Sequence, residues 1–163
     1  MKLIGKGKNG KAYLNTDNTV TKITKSKLEY DFALFVIKNK PEWFCKVFSA
    51  EKISTRSYRI TKELVTAIET MGFVDIEIED NHRYTHYGSL YLIFAWCRKG
   101  LSTSLLKNNM QFLKSKEDRD VAKFIIKNEK SILKSDIDIK DIWCNVGYNK
   151  KNQIVIFDAD TNR

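Results

Sequence analysis

The spacing of apolar and polar positions changes several times along this chain, and each change marks an element. Residues 2–14, KLIGKGKNGKAYL, read as strand, glycine-rich turn and strand, with Gly5, Gly7 and Gly10 in a GxGxxG arrangement. Asn15-Thr16-Asp17-Asn18 supplies a turn into a third strand, TVTKIT, on which Val20, Lys22 and Thr24 share one face. From Ser26 to Lys40 the period becomes helical. Leu28, Phe32, Phe35 and Val36 form an apolar stripe, and Pro41 closes the segment. Ser26-x-x-Glu29 has the form of a capping box. Glu29 can therefore cap this helix or pair with Lys22, and capping is the expectation.

Two further strand-like runs follow, WFCKVFSA and SYRITKELV, and then a helical turn over 66–72. Phe73 to Glu79 alternates strictly and predicts a half-buried strand. Leu90 to Cys97 is apolar enough for the core. Leu101–Lys107 and Glu117–Leu133 predict helices, the second with Val121, Phe124, Ile125, Ile132 and Leu133 facing inward and an N-cap signal in Ser115-x-x-Asp118. Near the end, Val146 and Tyr148, the turn Asn149-Lys150-Lys151-Asn152 and the run Ile154–Phe157 predict a hairpin.

That hairpin is bracketed by Asn145 and Asp158, so folding it draws two oxygen-bearing side chains together. A hard cation such as magnesium takes one or two such oxygens and leaves room for phosphate and water. Asp136, Asp138 and Asp141 crowd the approach. The same residues also serve as ordinary turn and strand-end caps.

Composition narrows the choices. A chain of 163 residues builds one core, or two small lobes sharing a cleft. No apolar run reaches membrane-spanning length, and the N-terminus lacks a secretory apolar region. Cys45, Cys97 and Cys144 lack CxxC spacing, which argues against a disulfide framework or zinc site. They read as small buried hydrophobes of a reducing cytoplasm. His82 and His86 have i,i+4 spacing but sit in a polar stretch, as solvated loop residues. The net charge of +9 favours an anionic partner, such as nucleotide phosphates, nucleic acid or an acidic protein.

Context decides what the glycine cluster does. A dinucleotide-binding turn opens a helix, whereas Lys11-Ala12-Tyr13-Leu14 continues as a strand. A glycine-rich hairpin lying over phosphates fits instead, because no Cβ keeps the backbone away.

Glycine hairpin, strand lysine, helix, further strands, helices and an Asn–hairpin–Asp, in that order, resemble the protein-kinase-like superfamily, in particular short divergent kinase-like proteins of bacteriophages. The resemblance implies an α+β, minimal protein-kinase-like fold. Residues 1–65 would be an N-terminal antiparallel sheet lobe with one helix, and residues 66–163 a truncated, mainly helical C-terminal lobe. It implies ATP and magnesium as ligands. Gly5, Gly7 and Gly10 match the loop over ATP, Lys22 the lysine on the α- and β-phosphates, and Lys62-Glu63-Leu64-Val65 the segment that receives adenine. Asn145 and Asp158 match the magnesium ligands. The family's catalytic aspartate falls at Lys140, flanked by Asp138 and Asp141. Asp138 is the expected base because Asp141 lies only four residues from Asn145.

Asp158-Ala159-Asp160 replaces the usual Asp-Phe-Gly, and only five residues follow Asp158, so an activation segment is not expected. Two functions remain open on these residues. One is phosphotransfer to a protein or small hydroxyl acceptor. The other is a non-catalytic relative that docks on a host protein in the bacterial cytoplasm. A basic nucleic-acid-binding protein is a third.

Overall fold

The structure, a computed structural model, describes residues 1–68, 89–113, 115–135, 137–138, 142 and 144–159. Five strands, β1 (Lys2–Lys6), β2 (Gly10–Leu14), β3 (Thr19–Thr24), β4 (Val47–Ser54) and β5 (Ser57–Glu63), form an antiparallel sheet in the order β1-β2-β3-β5-β4. The turn from β2 to β3 places Asn18 at φ 59°, a left-handed conformation that asparagine tolerates. On β5, Tyr58, Ile60 and Lys62 are the buried positions. A lysine thus ends an otherwise apolar face.

Helix α1 (Lys27–Asn39) packs on β4 and β5. The Ser26 Oγ accepts from the Glu29 N–H at 3.2 Å. The helix stops at Lys40, left-handed at φ 47°, whose N–H donates to Val36 O before Pro41. Its buried stripe is Phe32, Ala33 and Val36. The expected stripe is therefore corrected: Phe35 is exposed, because the helix turns the small Ala33 toward the sheet and lays Phe35 outside.

The expected strand at WFCKVFSA begins later, at Val47. Trp43 to Cys45 bind the far end of the chain instead. Ile156 N donates to Trp43 O at 2.9 Å, Cys45 N donates to Ile156 O at 2.8 Å, and Phe44 bridges Ile156 in parallel.

A second antiparallel sheet consists of β6 (Thr66–Ala67), β7 (Val146–Tyr148) and β8 (Ile154–Ile156), in that order. The hairpin expected at the end of the chain is present as β7 and β8. Thr66 and Ala67, expected to start a helical turn, are extended and pair with Tyr148 and Gly147. Gly147 permits this: a Cβ there would lie 2.2 Å from Thr66 O.

Among the described residues three more helices follow the first, α2 (Ser89–Lys99), α3 (Thr103–Asn109) and α4 (Lys116–Leu133), with a 3-10 turn at Met110–Phe112. The Ser115 Oγ accepts from the Asp118 N–H at 2.9 Å, the cap that the sequence predicts. Val121, Phe124, Ile125 and Ile132 are buried, whereas Leu133, expected inside, is exposed on the last turn. Glu129 of α4 accepts from Trp96 Nε1 at 3.2 Å and Thr103 Oγ1 at 3.1 Å, tying α2 and α3 to α4.

One hydrophobic cluster runs through both parts of the chain, from Phe32, Phe44 and Ile60 to Leu92, Ile125 and Ile156. Cys45 and Cys97 belong to it. Cys144, expected to be buried, is exposed. Among the described residues no helix is long and apolar enough to cross a membrane. The strand expected over 73–79 and the pair His82 and His86 lie outside the described residues.

Candidate functional site

The β1–β2 hairpin, Lys22 of β3, the end of β5 and the residues flanking the β7–β8 hairpin, Asn145 and Phe157 to Ala159, line a cavity of about 440 Å³. Its rim is the glycine turn, where the Gly7 N–H donates to Gly10 O at 2.9 Å. Only Gly10 of the three glycines is imposed by the fold, since a Cβ there would meet Ile23 O at 2.2 Å. Gly5 has ordinary space for a methyl group, and Gly7 faces open space. Lys6, Lys8 and Lys11 also line the cavity, and Lys6 stands directly across from Lys11 in the ladder. Like charges placed opposite each other repel, and none of the three has an acidic partner among the described residues.

Inside the cavity the charges are paired. Lys22 of β3 places Nζ 2.7 Å and 2.9 Å from the two carboxylate oxygens of Asp158, just after β8. The same Nζ lies 2.8 Å from Glu29 Oε2 of α1. Glu29 is 7% exposed, so this carboxylate depends on Lys22 for charge balance. Its side chain was expected to cap α1, but the Ser26 N–H donates to Thr24 Oγ1 at 3.0 Å instead. Packing of α1 on the sheet then turns Glu29 to Lys22.

Burial by itself would lower the Lys22 pKa, but Asp158 and Glu29 outweigh it and hold the ammonium above its ordinary 10.5. Burial likewise pushes the Asp158 carboxyl up, and Lys62 and then Lys22 overcome this to keep it below 3.8. Both groups are ionised throughout the physiological range.

The expected oxygen ligands meet here. Asn145 and Asp158 line the same cavity, and the Phe157 N–H donates to Asn145 O at 2.8 Å. The Asp158 side chain is 36% exposed toward that space. One carboxylate and one amide are hard donors of the number magnesium uses when phosphate and water complete its shell. Among the described residues no group of three or more His, Cys, Asp or Glu forms a denser cage. The donor set therefore fits a hard cation shared with a ligand.

Glu63, Leu64 and Val65 line the same cavity. The Glu63 carboxylate is engaged with its own scaffold, accepting from the Lys46 N–H at 2.7 Å. Of the two candidate bases, Asp138 is half-buried and does not line the cavity, while Asp141 and Asp136 lie outside the described residues.

The sequence marked Lys62 only as the start of the segment that receives adenine, not as a charge beside Asp158. Lys62 lines the cavity beside Asp158, its Nζ donating to Phe157 O and lying 3.8 Å from Asp158 Oδ1. The available signal was the two-residue period of β5, which puts Lys62 on the face of Tyr58 and Ile60.

No protein-family model matches the chain, and no curated protein shows significant similarity to it.

Proposed function

We propose that this chain is a minimal protein-kinase-like protein that binds ATP with magnesium and presents the γ-phosphate to a hydroxyl acceptor. The observation that carries the reading is Lys22, held between Glu29 of α1 and Asp158 after β8, beneath a glycine hairpin. A half-buried ammonium held at the cavity by two carboxylates is pre-oriented for phosphate oxygens. The rim lysines Lys6, Lys8 and Lys11 add a field that attracts a polyanion.

In this reading the hairpin backbone lies along the phosphates, and Gly5 and Gly7 let them approach. Glu29 holds Lys22 in place when Asp158 turns from it. Asn145 and Asp158 would hold magnesium, which when bound supplies neutralising charge to the phosphates. Glu63 to Val65 receive the base. The work asked of the protein is chiefly positioning and electrostatic stabilisation, which is what phosphoryl transfer requires.

A second reading keeps nucleotide binding and drops transfer: the protein acts by docking on a host protein. One observation favours it, the position of Asp138 away from the cavity lining.

Thermal unfolding with and without ATP and magnesium tests the shared part of both readings. A ligand at 100 times its dissociation constant stabilises the folded state by about 2.7 kcal/mol. A rise in the wild type that is lost in Lys22→Ala/Asp158→Ala supports the nucleotide site, and no rise in the wild type overturns it. Labelled γ-phosphate transfer onto acceptor proteins then separates enzyme from binding module.

A further inference from the structure

Lys62 is an unusual residue for its position. On β5 it stands in register with Val20 of β3 and Val47 of β4, and it continues the buried face of Tyr58 and Ile60. Its side chain is 11% exposed. Packing alone would be met by methionine or leucine, without the cost of desolvating an ammonium.

The donor count points further. An ammonium has three N–H donors. Phe157 O takes one of those of Lys62, and Asp158 Oδ1 at 3.8 Å is beyond hydrogen-bond reach. No other acceptor engages Lys62 among the described residues, and the side chain lines the cavity. Lys22 differs, since both Asp158 oxygens and Glu29 already surround it. The cavity therefore contains one lysine with its partners in place and a second for which the described residues supply an acceptor to only one of three donors.

We infer that Lys62 is a second phosphate-binding cation, which takes an oxygen of the ligand's polyphosphate chain alongside Lys22. The inference rests on the nucleotide reading above and adds a determinant of ligand charge to it. Asp158 is the anion that both lysines share. A polyphosphate would replace it as their common counter-ion whenever Asp158 turns to a metal. Affinity in this cavity then rises with each phosphate more steeply than one lysine would give.

The experiment is calorimetric titration of adenosine, ADP and ATP, each with magnesium, into wild type, Lys62→Met, Lys62→Gln and Lys62→Arg. Lys62→Gln keeps a donor for Phe157 O without the charge, and urea unfolding checks that each variant folds. The expected result is an ATP affinity about tenfold or more weaker in Lys62→Met and Lys62→Gln. ADP should be affected less, adenosine should be unchanged, and Lys62→Arg should stay near wild type. Equal losses for adenosine and ATP, or no loss for ATP, would make Lys62 a prop for Phe157 and overturn the inference. Wild type that binds none of the three would overturn the nucleotide reading itself, and this inference with it.

Discussion

Lys22 and Asp158 are 136 residues apart in sequence, and Lys22 Nζ lies 2.7 Å from Asp158 Oδ2. The contact joins a central strand of the first sheet to a residue two positions past the last strand of the second. It ties the hydrophobic core to the cavity, because Glu29 reaches the same ammonium from α1. Much of the local architecture depends on this one cation.

Removing it should therefore expose the buried carboxylate. Lys22→Met is expected to destabilise the fold by about 2–3 kcal/mol, since Glu29 is left buried without its cation. Lys22→Met/Glu29→Leu should recover most of that loss. Urea unfolding of both variants checks the prediction, and equal stability of the single and double variants would contradict it.

The glycines separate folding from binding. Gly7→Ala meets no neighbouring atom within 4 Å, so stability should stay within about 0.5 kcal/mol of wild type. On the proposed nucleotide reading ATP affinity should still fall, because the added methyl group would stand where the phosphates are to approach. Gly147→Ala drives a Cβ to 2.2 Å from Thr66 O, and should cost about 2 kcal/mol or more by forcing β6 and β7 apart. Paired thermal melts and nucleotide titrations distinguish the two variants.

The thiols give a pH-dependent readout. Burial pushes the Cys45 and Cys97 thiols up to about 12 from 9.0. A raised thiol pKa favours the folded state fully below 9.0, and that contribution declines as pH climbs from 9.0 toward 12. Alkylation at pH 8 should modify the exposed Cys144 quickly and the other two only on unfolding. Peptide mass mapping at timed intervals reads the order, and early modification of Cys45 would refute the burial argument.

Glu129 is the tie between the helices. Glu129→Ala loses the bonds from Trp96 Nε1 and Thr103 Oγ1 and should destabilise by about 1–3 kcal/mol. The Trp96 emission should shift as its indole N–H loses its partner. An unchanged urea midpoint would show that these two bonds are replaced by water at no net loss.

Local chemistry carried far in the sequence. The turn at Asn15–Asn18, the caps at Ser26 and Ser115, helices α1 and α4 and the terminal hairpin were all legible, because each is decided by residues a few positions apart. The meeting of Asn145 and Asp158 in one cavity followed from that hairpin. In two places where the pattern misled, a distant partner had intervened. Trp43 to Cys45 left their strand to bind Ile156, and Thr66 and Ala67 left a helical turn to pair with β7.

The amino-acid order by itself thus determined an α+β chain with a glycine hairpin, a strand lysine and an Asn–hairpin–Asp. Only the tertiary structure decided that Glu29 faces Lys22 rather than capping α1, and that Lys62 enters the cavity. The physical reason is range. Turns and caps satisfy backbone groups within a few residues, and their sequence marks are local. A buried charge is settled by whichever opposite charge the packed elements bring within a few ångströms, and no local period records that choice.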